Sequence, residues 1–395
     1  MKTVYKTILF VAIVAIATMF ASSCKDDNNS SSGVPYISYV RVTDPASSDS
    51  LLAAAGQGQL IAIVGNNLQN TRQVWFNDQE AQLTPTYISK TSVLVSVPTK
   101  APEVVTNQMK LIFANGDSLL YDFTVTISKP VINGASNLNP NGMDCEYVPD
   151  GGLATIHGNY FYLPISVSFE GGVTATSDNG DVTVNDNNDV LTVKVPEGAQ
   201  PGRITITTNF GSTKSDFWFR DNRNIFEGFD AAIGTGDIIT DPGASDPQLI
   251  NGPYKRMTMT IGAWGWTEVF NWVINSMVPD DAILNPSDYY YKFEVNTLKP
   301  YNANGIDIVV SDPAVNTGHV GGSSDMCYKW NPPFDTQGEW QTVIIPFEDI
   351  MNANPPLGVI PGGYFYACIF LGDGTLDCDM CFDNFRVVPK TLAGN

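Results

Sequence analysis

An internal repeat constrains the fold of this 395-residue chain more than any other feature of its sequence. The two copies match in order and at a nearly constant offset. The matching segments are 35–37 with 130–132, 65–68 with 158–161, 74–76 with 167–169, 93–98 with 191–196, and 123–125 with 217–219. Because composition alone does not produce an ordered series of matches, each copy is predicted to be one structural unit.

Each copy consists of short apolar segments that are separated by Gly, Asn and Pro. In the run 93–97, three valines alternate with other residues and fall on one face of a pleated strand. Strands at this spacing, without helical periodicity, predict a small β-sandwich. The 34 Gly and 25 Pro, with frequent Val, Ile, Thr and aromatic residues, also favour an all-β fold.

In both copies an apolar run ends in Gly-Asn, at 61–66 and 154–159, and a Val-x-Phe-like segment follows. These marks resemble the immunoglobulin-like IPT/TIG domain. The resemblance implies two spacer domains, at 34–128 and 129–220. His157 lies inside a repeated strand and is predicted to be structural.

Residues 221–395 do not repeat, and their strand-like runs predict a β-sandwich of jelly-roll type. The segments 227–230, 340–347 and 382–387 resemble recurrent motifs of carbohydrate-binding jelly rolls. The whole layout resembles the second surface glycan-binding protein of Bacteroidetes polysaccharide-utilisation loci, of the type that binds xyloglucan or β-glucan. The resemblance implies a neutral polysaccharide ligand, held for degradation and import, and an outer-membrane glycan transporter complex as a partner.

Five of the seven tryptophans follow residue 221. Indole rings cover the flat C–H faces of sugars at little entropic cost, so an aromatic platform is expected here. In an extended segment, Trp264 and Trp266 would point to one face about 7 Å apart. Trp272 lies in a strand-like run, and Trp330 precedes Asn-Pro-Pro in a loop-like context.

Polar side chains close to these tryptophans are candidates for hydrogen bonds with sugar hydroxyls. The predicted ligand-binding residues are Trp264, Trp266, Trp330, Trp272, Tyr328, Asn271, Lys329, Asn331 and Glu268. Trp340 precedes a regular strand and is assigned to the core, and Trp75 and Trp218 are assigned structural roles within the repeats.

The net charge of −20 repels nucleic acid and polyanionic sugars, so a neutral ligand is favoured and nucleic acid is excluded. A glycosidase needs two carboxylates facing each other across a cleft, and 41 acidic residues supply such pairs by chance. The chain contains no Gly-x-Ser-x-Gly, His-Glu-x-x-His or phosphate-loop motif. We therefore predict a binding protein rather than an enzyme. A surface adhesin or structural lipoprotein, and a glycoside hydrolase, are the alternatives.

No cofactor is predicted, with one reservation. Jelly-roll sugar binders often hold a structural calcium ion between their first and last strands. This resemblance would place the ion at Glu227 and Asp383, whose carboxylates suit it.

The N-terminal segment 1–24 predicts an export signal, since a basic start precedes an apolar run at 8–20 that is too short to span a membrane. Small residues followed by Cys24 suit a lipoprotein signal peptidase, so Cys24 would be lipidated and would anchor the chain. An ordinary secretory signal is the alternative. The acidic and Ser-rich segment 25–33 is a flexible tether that resembles the Bacteroidetes surface-export signal, which implies the outer face of the outer membrane.

Five cysteines besides Cys24 leave at least one thiol unpaired, and the sequence does not determine their pairing. They are Cys145, Cys327, Cys368, Cys378 and Cys381. The last two have CxxC spacing, but a zinc site would require a second pair, so structural or disulfide use is favoured.

Overall fold

A computed structural model of the chain describes residues 33–47, 49–134, 139–314 and 326–391. Contacts divide the chain into two compact units, one ending at Ile127 and one beginning at Ser128. The predicted lipidation site Cys24 lies outside the described residues. Within the part of the chain that the structure describes, no helix is both long and apolar enough to cross a membrane.

The first unit is a β-sandwich whose inward side chains are the ones that the alternation predicts. Its strands are β1 (Tyr36–Val42), β2 (Ala54–Gly56), β3 (Leu60–Asn66), β4 (Thr71–Phe76), β5 (Gln79–Ala81), β6 (Ser92–Ser96), β7 (Gln108–Phe113), β8 (Ser118–Asp122) and β9 (Thr124–Thr126). One sheet has the order β1-β3-β6 and the other β5-β4-β7-β8, while β2 pairs in parallel with β9. Val93 and Val95 are buried in the core between the two sheets, together with Phe76 of the other sheet.

The second copy of the repeat builds the same kind of sandwich. Its strands are β10 (Val131–Ile132), β11 (Leu153–Asn159), β12 (Ile165–Glu170), β13 (Val173–Thr176), β14 (Val182–Val184), β15 (Val190–Lys194), β16 (Gln200–Thr208) and β17 (Gly211–Lys214). The sheets run β10-β11-β15-β14 and β13-β12-β16-β17. His157 lies in β11 and bonds Asp144 at 2.8 Å.

The repeated Gly-Asn has the same structural reason in both copies. A Cβ atom on Gly65 would lie 2.0 Å from the carbonyl oxygen of Tyr36, and one on Gly158 would lie 2.0 Å from that of Val131. Only glycine lets the neighbouring strand approach this closely. The repeat that is visible in the sequence therefore reflects shared backbone packing.

The C-terminal domain is a third sandwich with its own core. Its strands are β18 (Ile225–Glu227), β19 (Asp237–Ile239), β20 (Tyr254–Ile261), β21 (Thr267–Asn275), β22 (Tyr289–Thr297), β23 (Ile306–Ser311), β24 (Tyr328–Trp330), β25 (Gln341–Pro346), β26 (Tyr364–Phe370) and β27 (Leu376–Pro389). Helix α1 (Asp280–Leu284), helix α2 (Phe347–Ala353) and the 3-10 turns Pro45–Ser47, Pro85–Tyr87 and Pro286–Asp288 complete the described elements. One sheet runs β19-β20-β27-β22-β25, with β18 added to β27, and the other runs β21-β26-β23-β24. The predicted all-β fold of tandem immunoglobulin-like sandwiches and a third sandwich is confirmed.

A buried group of charged and polar side chains joins the second sandwich to the C-terminal domain. We name it the junction cluster: Glu146 from the second sandwich, with Lys292, Glu294, Thr342 and Arg386 from the C-terminal domain. The Lys292 Nζ atom lies 2.7 Å from Glu146 Oε2. The Arg386 guanidinium donates two hydrogen bonds to Glu294, at 2.7 and 2.9 Å. These side chains are nearly or fully inaccessible to solvent.

Two further contacts complete this junction. The Thr342 hydroxyl accepts a hydrogen bond from the Glu146 backbone N–H at 2.8 Å and donates one to Glu294 at 2.9 Å. Trp340 is half-buried and packs against the core of the second sandwich, and its indole N–H donates to the Gln248 carbonyl at 3.0 Å. Trp340 is therefore a half-buried junction residue, and not the residue of the C-terminal core that was predicted. The predicted boundary at residue 220 falls inside the second compact unit.

The cysteines outside the N-terminal segment are all buried, and Cys145, Cys368, Cys378 and Cys381 form no disulfide, so of the two predicted uses the structural one fits them. Cys378 packs in the core of the C-terminal domain, and burial raises the pKa of its thiol to about 12. A thiol held in this way stays protonated and unreactive.

Candidate functional site

Three tryptophans of the C-terminal domain are exposed to solvent. The exposed fractions of Trp264, Trp266 and Trp272 are 59%, 45% and 57%. The other four tryptophans of the chain are buried or half-buried. All three exposed rings belong to β21 or to the turn before it, at the edge of its sheet. Exposed apolar side chains that are grouped in this way indicate a binding surface.

A turn at 262–265 separates β20 from β21, so Trp264 and Trp266 do not lie in the extended segment that would place them side by side on one face. Trp264 has a left-handed backbone, with φ of 56°, and its N–H donates to the Gly372 carbonyl at 2.7 Å. The N–H of Gly265 donates to the Gly262 carbonyl at 2.9 Å. These bonds reverse the chain, and the strand begins only at Thr267.

Trp272 is turned outwards by an irregularity within β21. The pairing with β26 shifts register between Phe270 and Val273, and Trp272 has a φ of 59°. A bulge of this kind lets the two flanking apolar residues stay in the core while the inserted side chain points elsewhere. The ring of Trp272 meets Phe365 edge-on at 5.4 Å.

Two of the predicted polar residues hold the tryptophans in place. Glu268 accepts hydrogen bonds from the Trp266 indole N–H and from the Asn271 amide, both at 2.8 Å. The Asn271 side-chain oxygen accepts the backbone N–H of Trp272 at 2.9 Å. The structure thus links Trp266, Glu268, Asn271 and Trp272 in one hydrogen-bonded chain.

Charged groups continue across the sheet from this edge. The register places Glu268 opposite Ile369, Ile369 opposite Asp307, and Asp307 opposite Lys329. Residues directly opposite each other in a sheet point to the same side. Ile369 lies in a small apolar cluster separate from the main core, so this row marks the side of the sheet turned away from that core. We call this side, with Glu268, Trp272, Asp307, Lys329 and Ile369, the outer face.

Asp307 is the outer-face residue that sequence reasoning missed. Its carboxylate is fully buried and accepts a hydrogen bond from Lys329 Nζ at 2.7 Å. The available signal was an acidic residue in the otherwise apolar run 306–310. An aspartate in such a strand requires a partner, because an uncompensated buried charge is costly.

Trp330 does not belong to this surface, and the prediction that it lies in an accessible loop is wrong. It ends β24 opposite Ile306, is only 8% exposed, and packs against Phe334 at 4.6 Å and Phe293 at 5.1 Å. Tyr301 also donates its hydroxyl hydrogen to the Trp330 carbonyl at 3.0 Å. The ring is a core residue of the C-terminal domain.

Tyr328 and Lys329, both predicted to bind the ligand, lie on opposite sides of the sheet. Tyr328 lies opposite Ile308 and packs against the main core, and burial raises the pKa of its hydroxyl. Successive strand residues point to opposite sides, so Lys329 between Tyr328 and Trp330 reaches the outer face. Asn331, which follows β24, is exposed.

The surroundings of Glu227 and Asp383 do not support the predicted calcium site. Glu227 accepts the backbone N–H of Phe229 at 2.7 Å, and Asp383 accepts that of Asn384 at 2.8 Å. Burial and the nearby negative charge of Glu294 raise the pKa of Asp383 well above its usual range. Among the described residues, no three His, Cys, Asp or Glu side chains are grouped so as to hold a metal ion. The calcium hypothesis stays a prediction.

Comparison with known proteins finds relatives of the C-terminal domain and of the whole chain. Residues 219–389 match the family described as the surface glycan-binding protein B xyloglucan-binding domain. A Bacteroides ovatus protein named "IPT/TIG domain-containing protein" is 22% identical, in an alignment that covers 99% of this chain and all of the relative.

A solved structure agrees with this match. The crystal structure of surface glycan-binding protein PbSGBP-B from Prevotella bryantii is 25% identical, covers 91% of this chain and 99% of its own, and superposes with a TM-score of 0.61. The matched family segment contains the three exposed tryptophans. The resemblance to surface glycan-binding proteins with IPT/TIG repeats is confirmed.

Proposed function

We propose that the chain is a cell-surface lipoprotein that binds a neutral polysaccharide, a xyloglucan-like hemicellulose or another β-glucan, and holds it for degradation and import. The observation that carries the proposal is the set of exposed indoles of Trp264, Trp266 and Trp272 at one edge of the outer face. We call these three rings the platform. A neutral polymer offers no charge to bind, so ring stacking and a few polar groups must supply the affinity.

The platform is held before any ligand arrives. The Trp266 ring is tied to Glu268, and the backbone of Trp272 is tied to Asn271. Side chains that are already ordered lose less conformational entropy on binding, so more of the stacking energy remains as affinity. The Glu268, Asn271 and Lys329 side chains can also exchange hydrogen bonds with sugar hydroxyls next to the rings.

The choice of a β-glucan rests on the family comparison. The matching family is described as xyloglucan-binding, and the Prevotella relative is named a surface glycan-binding protein. A binding role without catalysis is supported by the same comparison, because both descriptions name glycan binding. Among the described residues of the outer face, the two carboxylates already have partners. Glu268 is bonded to Trp266 and Asn271, and Asp307 is paired with Lys329. A structural or adhesive role alone does not account for the exposed indoles.

Surface anchoring is part of the same proposal. The export signal, Cys24 and the acidic tether support a lipid anchor in the outer membrane, where a glycan transporter complex would receive the polymer. Protease treatment of intact cells should remove the wild-type protein from the surface. A Cys24→Ala variant should be released or mislocalised, and full protease resistance of the wild type would contradict surface exposure.

The binding test is isothermal titration of xyloglucan and its oligosaccharides into the wild type and the Trp264→Ala, Trp266→Ala and Trp272→Ala variants. Removal of a stacked indole should cost about 2 kcal/mol, roughly a thirtyfold loss of affinity. The melting temperatures should stay close to that of the wild type, because the rings are exposed.

Trp75→Ala is the matched control, since Trp75 lies in the first unit and its loss should leave binding unchanged. Wild-type affinity in all three platform variants would overturn the proposal. Binding of a different neutral polymer through the same rings would keep the mechanism and replace the substrate.

A further inference from the structure

A second group of aromatic rings lies on the immunoglobulin-like domain that precedes the C-terminal domain. Tyr160 and Tyr162, between β11 and β12, have ring centroids 6.3 Å apart. Phe210, in the β16–β17 hairpin turn, meets Tyr162 edge-on at 5.7 Å. Tyr160 is 40% exposed, and the other two rings are half-buried. We call these three residues the tip cluster.

Tyr160 shares an unusual backbone conformation with the platform. Its φ is 63°, compared with 56° for Trp264 and 59° for Trp272. Among the described residues, these three are the exposed aromatic side chains with a left-handed backbone. A bulky residue is rare in this conformation, and such strain concentrates at binding sites.

The first domain shows that the fold does not require an aromatic residue at this position. The residue that corresponds to Tyr160 is Asn67, which has a φ of 59°. Asparagine adopts the left-handed conformation readily, whereas tyrosine does not. The second domain therefore has the same left-handed backbone at this position, but with a tyrosine in place of the asparagine that adopts it readily.

The start of the loop matches in the two domains, although a cis Leu163–Pro164 bond follows in the second domain and has no counterpart among the described residues of the first. Leu68 and Phe161 are both fully buried, and the N–H of each donates to a loop carbonyl at 3.0 Å, that of Lys90 and that of Asn188. In the repeat alignment, Tyr162 stands where the first domain has Gln69. The second domain thus has two aromatic rings at positions where the first has two amide side chains.

The surroundings of the tip cluster suit a neutral ligand. The segments 158–164 and 208–211 contain no charged residue, although the whole chain carries a net charge of −20. Exposed amides of Asn159 and Asn209 flank the rings. Flat rings beside amides can stack on a sugar face and bond its hydroxyls. These two segments themselves supply no counter-charge for a polyion, although the Lys129 side chain lies close to Gly211.

We propose that the tip cluster is an auxiliary contact for the same neutral polysaccharide. This inference rests on the proposed function and extends it from the C-terminal domain to an immunoglobulin-like domain. A polymer long enough to reach both surfaces gains affinity from the second contact, because that contact forms at a high effective concentration. A short oligosaccharide that fills only the platform gains nothing from it.

The test uses the full chain with Tyr160→Asn and Tyr162→Gln combined, which installs the first domain's residues at the corresponding positions. Affinity electrophoresis in xyloglucan gels should show a loss of roughly tenfold in affinity for the polymer. Titration with a xyloglucan oligosaccharide should show unchanged affinity. Phe210→Ser provides a second, independent variant if the double variant melts below the wild type.

Each other outcome overturns the inference. Unchanged polymer binding in these variants would show that the rings do not contact glycan. Equal losses for polymer and oligosaccharide would show that they act on the platform. A change only in self-association or in transporter binding would make the tip cluster a protein interface. If the wild type binds no neutral polymer, the proposed function fails first and this inference fails with it.

Discussion

The two immunoglobulin-like domains come from one repeat but are used differently. The first forms a compact unit by itself, which ends at Ile127. The second belongs to the same compact unit as the C-terminal domain and contributes Glu146 to the junction cluster. The shared strand pattern therefore determines that each copy folds as a sandwich, but not which domain the sandwich packs against. That contact is made by residues between the strands, such as 144–146.

The charges at this junction specify geometry more than they add stability. Burial by itself would lower the pKa of Arg386, but the negative charges of Glu294 and Glu146 raise it, so the guanidinium stays charged. Buried ion pairs often give little net stability, because desolvation offsets their attraction, yet removing one partner is costly. The junction cluster thus selects one arrangement of the second sandwich on the C-terminal domain.

The largest expected effect comes from removing the second domain. A fragment of residues 221–395 loses the partner that covers Lys292, Thr342 and Trp340, so it should melt far below residues 128–395 or fail to fold. Deleting residues 33–127 should leave the melting temperature and glycan affinity of the remainder almost unchanged. Scanning and titration calorimetry on the two fragments and the full chain check both expectations. Equal melting of 221–395 and 128–395 would show that the junction contributes nothing.

A smaller effect is expected from Glu146→Gln. The substitution leaves the buried Lys292 ammonium without its counter-charge and should cost about 3–5 kcal/mol of unfolding free energy. Glu170→Gln is the control on the same domain, because its pair with Lys214 is exposed and 4.0 Å long, and it should change stability by less than about 1 kcal/mol. Urea denaturation measures both. If both variants lost less than about 1 kcal/mol of unfolding free energy, the junction would be accessible to water.

The smallest expected effect is the contribution of Asp221 to stability at low pH. Burial by itself would raise the pKa of Asp221, but hydrogen bonds from Arg223 and the charge of Arg386 lower it below 3.8. A carboxyl group whose pKa is lower in the folded state stabilises the fold at pH values above its unfolded-state pKa. This stabilisation is lost as the pH falls through the folded-state pKa. As the pH is lowered below about 4, the melting temperature of residues 128–395 should therefore fall more steeply for the wild type than for Asp221→Asn. Parallel curves would refute the assignment.

Several features of the site were predictable from local sequence. The Trp264, Trp266 and Trp272 rings are exposed, as their positions indicated, and the predicted Glu268 and Asn271 are bonded to them. Local sequence was enough here because these residues are neighbours along one strand and its preceding turn. The turn at 262–265 was not predicted, because it depends on the carbonyl of Gly372, which is remote in sequence.

The sequence alone determined the repeat, the all-β class and the presence of two opposite faces on each strand, because all three follow from local pattern and backbone pleat. Tertiary structure decided which face is the inner one. Trp330 is buried because β24 pairs with β23 so that Trp330 lies opposite Ile306, and the same pairing brings Lys329 to Asp307. Glu146 meets Lys292 across 146 residues of chain. Alternation sets the two faces of a strand, but only pairing and packing with distant segments fix which of them meets the core, the neighbouring domain or the solvent.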